Sequence, residues 1–290
     1  MQQANIRHPE ERPGGARLEG RAGPARLPPV IGHRGAAARA PENTLAGLRR
    51  AKADGCAWVE FDARLTGDGA LVLCHDARLD RTTSGSGPVS AQTLAAIREC
   101  EAGSWFDPAF AGERMPTLDE ALLLAAELDL GANIEIKSDR GREYATAAAV
   151  AGTIERLRGR TPSVLVSSFL LPVLAALRDL APRIPRGVLF RSVPRGWAEL
   201  ALRLGCAMIG ADHRRLRPRR VAAIRAAGYG LAAYTVNDPT RARLLFDWGV
   251  SSVFSDAPDI ILTASVGRSP ARPIAAALGR PALARQGAIR

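Results

Sequence analysis

Apolar residues in this chain fall into short runs separated by longer stretches of helical periodicity. The first run, Pro29-Val30-Ile31, ends in Gly32-His33-Arg34-Gly35 and reads as a short buried strand. Asn43 or Thr44 then caps a helix in which Leu45, Leu48 and Ala51 recur at helical spacing. Next, Trp58, Glu60, Asp62 and Arg64 alternate with Val59, Phe61 and Leu65. That is strand periodicity, and it places Glu60 and Asp62 on one face. Thr66-Gly67-Asp68-Gly69 forms a tight turn into a second apolar run, Ala70–Cys74, followed by His75-Asp76. A turn this short permits only an antiparallel hairpin. Pairing across it sets His75 opposite residue 60 to 62, within one register step.

Residues 79–116 are irregular, with a short helix expected around Ala91–Ile97. An irregular stretch this long inside a compact domain reads as a cap beside a site. Trp105 and Phe106 either line a pocket there or pack the cap down. From residue 117 strand and helix alternate. Helices are expected at 117–128, 141–157, 171–180, 195–203, 217–227 and 239–247. They lead to strands at 132–137, 163–168, 187–190, 206–210, 230–236 and 250–254. Setting aside the return strand of the hairpin, eight strands have helical crossovers, beginning near residues 29, 57, 132, 163, 187, 206, 230 and 250. Eight βα units close a barrel, so the expected fold is α/β, a TIM (β/α)8 barrel with a β-hairpin after strand 2 and a small cap insertion. A doubly wound open sheet is the alternative, but no Gly-x-Gly-x-x-Gly follows the first strand.

Composition refines this picture at the edges. The chain has 290 residues and a net charge of +11, which invites a nucleic-acid reading. Residues 1–28 hold five arginines and three acids, and residues 265–290 hold five arginines and no acid, leaving +4 for the body. The excess therefore sits in two Pro-, Gly-, Ala- and Arg-rich extensions expected to be disordered, flanking one domain at 29–264. The body has one basic cluster, His213-Arg214-Arg215-Leu216-Arg217-Pro218-Arg219-Arg220, which reads either as a solvated loop and helix start or as a surface for an anion. With no aromatics interleaved among these charges, no nucleic-acid partner is expected. No run approaches the roughly 18 apolar residues of a membrane span. The N-terminal extension lacks the apolar segment of a secretory signal. Four scattered cysteines, with no Cys-x-x-Cys, point to reduced thiols in a cytoplasmic protein.

In a TIM barrel the chemistry sits at the C-terminal strand ends. Here these carry His33-Arg34, Glu60 and Asp62 with His75 beside them, Glu135 and Lys137, Ser167-Ser168-Phe169, Thr235 and Asn237, and Ser255-Asp256. Each acid taken singly reads as one half of a salt bridge. Three carboxylates (Glu60, Asp62 and Glu135) converging on one mouth describe an all-oxygen site for one divalent cation, Mg²⁺ or Ca²⁺. Two histidines beside a metal, with Arg34 and Lys137 as cations, suit phosphodiester cleavage. Lysine at that position is informative, because the chain has only two, Lys52 and Lys137, against 38 arginines.

Taken in order, several motifs resemble those of the glycerophosphodiester phosphodiesterases. They are His33-Arg34-Gly35, Pro41-Glu42-Asn43-Thr44, Glu60-x-Asp62, His75-Asp76, Thr82-Thr83-x-Gly85-x-Gly87, Glu135-Ile136-Lys137, Ser167-Ser168-Phe169, Tyr234-Thr235-Val236-Asn237 and Ser255-Asp256. The match covers about residues 29–262 and is close to the cytosolic bacterial enzymes. The resemblance implies hydrolysis of small glycerophosphodiesters, such as glycerophosphocholine or glycerophosphoethanolamine, to sn-glycerol 3-phosphate and an alcohol. It implies Glu60, Asp62 and Glu135 as metal ligands, His33 and His75 as the acid/base pair, and Arg34 and Lys137 on the phosphate. Glu42 would lie behind these groups or touch a substrate hydroxyl. Phe169, Tyr234 and Trp105 complete the candidate substrate contacts. Either the neighbouring glycerol hydroxyl or a water would attack phosphorus. Competing readings are a related barrel that stops at the cyclic phosphate, and a catalytically inert barrel serving as a binding module.

Overall fold

The computed structural model describes residues 27–265. Most of both basic extensions lies outside the described residues. Leu27 and Pro28, which the sequence assigns to the first extension, belong to the barrel. Leu27 packs on its interior, and the Pro28 carbonyl accepts from Ser252 Oγ at 2.7 Å.

The strands are β1 (Val30–Gly32), β2 (Trp58–Leu65), β3 (Leu71–Leu73), β4 (Gly131–Ile136), β5 (Val164–Ser168), β6 (Arg186–Phe190), β7 (Met208–Asp212), β8 (Gly230–Tyr234) and β9 (Ser252–Ser255). The sheet runs β1-β9-β8-β7-β6-β5-β4-β2-β3, and β1 also pairs with β2. Eight parallel strands thus close on themselves, and β3 hangs antiparallel on β2. Closure leaves no exposed edge on the parallel barrel. The hairpin register pairs Ala63 with Leu73, and the Cys74 N–H donates to the Asp62 carbonyl at 2.9 Å. His75 follows at once, within the register step expected.

The helices are α1 (Leu45–Ala53), α2 (Leu94–Glu99), α3 (Leu118–Glu127), α4 (Glu143–Arg156), α5 (Leu171–Leu180), α6 (Trp197–Arg203), α7 (Pro218–Ala226), α8 (Pro239–Trp248) and α9 (Pro258–Ser265). Thr44, not Asn43, caps α1, accepting from the Gly47 N–H at 3.1 Å. The cap holds a 3-10 turn at Val89–Ala91 and then α2, where the sequence suggests one helix. Thr93 accepts from the Ala96 N–H, which starts α2 afresh two residues beyond the turn. Helix α9 has no counterpart among the expected elements. Its Ile261 is fully buried against the barrel.

Apolar packing has two layers. Between the barrel and its helices lie residues such as Phe61, Leu122, Ile134, Ile209 and Leu245, all fully buried. Inside the barrel, Ile31, Leu165, Leu189, Met208, Ala232 and Phe254 form a smaller plug. That plug fills the bore below the strand ends. Beneath the cap a separate cluster of Val72, Cys74, Leu79, Val89, Ile97 and Met115 ties residues 79–116 to β3.

Candidate active site

The site starts from the turn after β1. Arg34 and Gly35 both have left-handed φ, +52° and +90°. This sharp reversal aims the Arg34 N–H at Glu60 Oε2, 3.0 Å away on β2. A side chain at Gly35 would meet the backbone of Gly47 at 2.5 Å, so only glycine lets the turn lie on α1. His33 closes the turn on the other side. Its Nδ1 bonds Asp256 Oδ1 at 2.6 Å, just beyond β9, and its Nε2 points toward Glu60 Oε2 at 3.9 Å. Burial lowers the His33 pKa, but the Asp256 bond and the Glu60 charge outweigh it and hold it above the ordinary histidine value.

Glu60, Asp62 and Glu135 each offer an oxygen within 4.8 Å of the others, and all three are buried. Strand alternation puts Glu60 and Asp62 on one face of β2, and the register sets Glu135 of β4 beside Asp62. Burial pushes Glu60 up to about 8, and the charges of Asp62 and Glu135 add to it. Glu135 is raised for the same reasons, burial first and then Asp62. Burial opposes ionisation of Asp62 too, yet Lys137, Arg34 and His75 hold it below its ordinary value. Lys137 Nζ lies 3.3 Å from Asp62 Oδ1 and bonds Glu135, while Arg34 Nε lies 3.4 Å from Asp62 Oδ2.

A salt-bridge reading accounts for Asp62 and Glu135. It does not account for Glu60, whose buried Oε1 has no hydrogen-bond partner among the described residues. A buried, unpartnered carboxylate oxygen is costly unless something bonds it. An all-oxygen trio with such an atom can hold one hard divalent cation.

His75 stands on the hairpin. Its Nδ1 bonds Asp76 Oδ1 at 2.7 Å, and Arg64 grips its carbonyl at 2.9 and 3.1 Å. Burial, with Arg34 and Lys137 nearby, lowers the His75 pKa despite Asp62. Arg81 of the cap spans Asp76 and Glu42 with bonds of 2.7 and 2.8 Å, and Glu42 in turn accepts from Arg34 Nη1 at 2.8 Å. Glu42 therefore lies behind Arg34, among guanidinium groups.

His33, Arg34, Glu60, His75, Glu135, Lys137, Phe169 and Tyr234 line one cavity of about 680 Å³ at the strand ends. Lys137 Nζ sits 5.6 Å above the Phe169 ring, which meets Tyr234 edge-on. Trp105 is not brought to this cavity. It packs edge-on against Phe106 within the cap, and its Nε1 donates to the Ala102 carbonyl at 2.9 Å. Of the two readings of Trp105, the geometry therefore supports packing. Residues to which the sequence assigned no role in the site are Asn43, Asp76, Arg81 and Asp256, the last of them already placed at a strand end. Asn43 and Asp62 exchange two bonds, side chain to side chain at 2.9 Å and backbone to side chain at 3.0 Å. Each of the four sits in or just beyond a motif already singled out, which was the available signal.

Comparison with known proteins bears on this geometry. A model of the glycerophosphoryl diester phosphodiesterase family matches residues 33–260. The chain belongs to that family. Membership makes it a phosphoric diester hydrolase acting on glycerophosphodiesters. A glycerophosphodiester phosphodiesterase of Caldanaerobacter subterraneus subsp. tengcongensis is 33% identical over 80% of this chain and 96% of its own. One of Bacillus subtilis is 33% identical over 80% of this chain and 84% of its own. A solved phosphodiesterase of Oleispira antarctica, in complex with the product sn-glycerol-3-phosphate, superposes with a TM-score of 0.80. It is 38% identical, over 82% of this chain and 96% of that one. The Oleispira antarctica structure shares the TIM barrel found here. Among the described residues no helix is long and apolar enough to cross a membrane.

Proposed function

We propose that the protein hydrolyses small glycerophosphodiesters, the class of glycerophosphocholine and glycerophosphoethanolamine, to sn-glycerol 3-phosphate and an alcohol. The observation that carries this reading is the orphaned Glu60 Oε1 within a trio of carboxylates, two of which, Glu60 and Glu135, line one cavity with both histidines. Glu60, Asp62 and Glu135 would hold Mg²⁺ or Ca²⁺, which when bound supplies charge neutralisation at the phosphoryl oxygens. Arg34 and Lys137 add fixed positive charge there, each held in place by carboxylates. Arg34 is steadied by Glu42, which fits a role for Glu42 behind the phosphate rather than on a substrate hydroxyl. His33 and His75 serve as acid and base: one takes the proton of the attacking hydroxyl, of glycerol or of water, and the other protonates the departing alkoxide. Phe169 and Tyr234 offer apolar surface along the cavity. Four cysteines held as thiols, three of them buried, are in keeping with a cytoplasmic setting.

The test is release of glycerol 3-phosphate from a panel of glycerophosphodiesters, with Mg²⁺, with Ca²⁺ and after chelation, alongside the melting temperature in each state. Metal-dependent release, with a higher melting temperature in the supporting metal, is expected. No release from any substrate with either metal would overturn the reading. A cyclic phosphate as the end product would transfer it to the lyase class.

A further inference from the structure

The cavity extends well beyond the reacting centre. In the closed order of strands β6 and β7 lie across the barrel from β1 and β2. Their tips furnish the far wall: Arg191 just after β6, Asp212 at the end of β7, and Arg215 in the loop that follows. Five cationic side chains line the cavity. Arg34 is engaged by Glu42 and Asp62, Lys137 by Glu135 and Asp62, and Arg64 by Asp139 and the His75 carbonyl. The guanidinium groups of Arg191 and Arg215 form no ion pair or hydrogen bond with any described residue. Asp212 offsets one of these two charges and is turned to its own loop, accepting from the Arg214 N–H at 2.9 Å. The far wall is therefore net positive, with two planar donor forks uncommitted. Arg215 belongs to the basic cluster at 213–220, so one member of that cluster faces the cavity.

We propose that this wall receives the leaving alcohol, and that the preferred substrates are glycerophosphodiesters whose alcohol carries a further anionic group, above all a second phosphate. This rests on the phosphodiesterase reading given above. In-line displacement at phosphorus sends the attacking and leaving oxygens to opposite sides, so one half of the diester extends across the cavity, away from the carboxylate trio. Glycerol would offer the two guanidinium groups only neutral hydroxyls, whereas an anionic leaving group answers their charge. A choline or ethanolamine group would bring an ammonium against a positive wall. The aromatic pair gives it little shelter, because Phe169 faces Lys137 on its ring and Tyr234 on its edge, and the Tyr234 hydroxyl is bound to the Phe190 carbonyl at 2.8 Å.

The test compares kcat/KM for bis(glycerophospho)glycerol and for glycerophosphocholine, using the full chain supplied with Mg²⁺ or Ca²⁺. The wild type should favour the second-phosphate substrate by about 10-fold or more, the worth of one to two charge-assisted hydrogen bonds. The preference should narrow as salt rises and screens the wall. Arg191→Glu with Arg215→Glu should reverse it, moving the ratio of the two kcat/KM values by about 100-fold, chiefly through KM. Equal rates, a preference for glycerophosphocholine, or a ratio unmoved by charge reversal would overturn the proposal. The wild-type preference and its salt dependence decide the matter even if the double variant folds poorly. Hydrolysis of neither substrate by the wild type would overturn the phosphodiesterase reading itself, a result distinct from hydrolysis without preference.

Discussion

At the scale of the residue, the histidines of the site are set by their partners. His33 is held at Nδ1 by Asp256, 223 positions away in sequence, which turns Nε2 to the cavity. His75 is held by its neighbour Asp76. If these rings move the protons, His33→Ala and His75→Ala should each lower kcat by about 10² to 10⁴. Both should keep the wild-type far-ultraviolet spectrum, since neither side chain belongs to the apolar layers. Near-wild-type turnover in either variant would remove that residue from the mechanism. Asp256→Asn separates orientation from chemistry. It leaves His33 in place but exchanges a charged acceptor for an amide, so kcat should fall by about 10- to 100-fold with KM little changed. A parallel rise in KM would instead mean that Asp256 meets the substrate.

At the scale of the element, the turn from β1 into α1 does the positioning. Three of its features depend on left-handed backbone: Arg34 at φ +52°, Gly35 at +90° and Asn43 at +57°. Asn43 tolerates this conformation because its side chain is tied to Asp62 in two places. Gly35 has no such compensation, and a methyl group there would press on the Gly47 backbone. Gly35→Ala should therefore destabilise the protein by about 1–3 kcal/mol and lower kcat with it, because His33, Arg34 and the Glu60 contact share the displaced turn. Thermal melting checks the first effect and turnover below the melting temperature the second. The cap is tied to the same turn through Arg81, which joins Asp76 to Glu42. Catalytic geometry and cap placement are thus coupled through one guanidinium group.

At the scale of the whole molecule, ion pairs around the barrel mouth give the fold an acid limit. Arg81, Arg34 and His33 hold Glu42, Asp76 and Asp256 below their ordinary values, against burial in each case. A carboxylate depressed in the folded state adds stability above its unfolded value, near pH 4 to 4.5, and loses it as pH falls through the lower folded value. The contribution of these three carboxylates to the melting temperature should therefore be complete above about pH 5 and fall away below about 4.5. Glu42→Gln should start lower at pH 7 and fall less steeply in acid. An unchanged acid slope in that variant would assign the loss to other groups.

Much of this was legible in the chain alone. Alternation of period 2 with period 3.6 determined eight crossover strands, and with them the barrel, because each pattern buries its apolar face in only one kind of element. The same periodicity set Glu60 and Asp62 on one face, and the short Thr66–Gly69 turn brought His75 beside them, because a local turn fixes register. What the chain alone left open was every side-chain pairing made around the barrel mouth. Asp256 on His33, Asn43 on Asp62, Arg81 between Asp76 and Glu42, and the place of Arg191 and Arg215 on the cavity wall all arise where the loops of different units meet. Periodicity says which face a residue takes on its own element, but not which neighbour will stand opposite. Trp105 shows the same limit, since its composition suited a pocket wall and its packing on Phe106 turned it into the cap. Closure of the ring decided these contacts, because only closure brings β1 against both β9 and β2 and sets the chain's first and last strand ends around a single site.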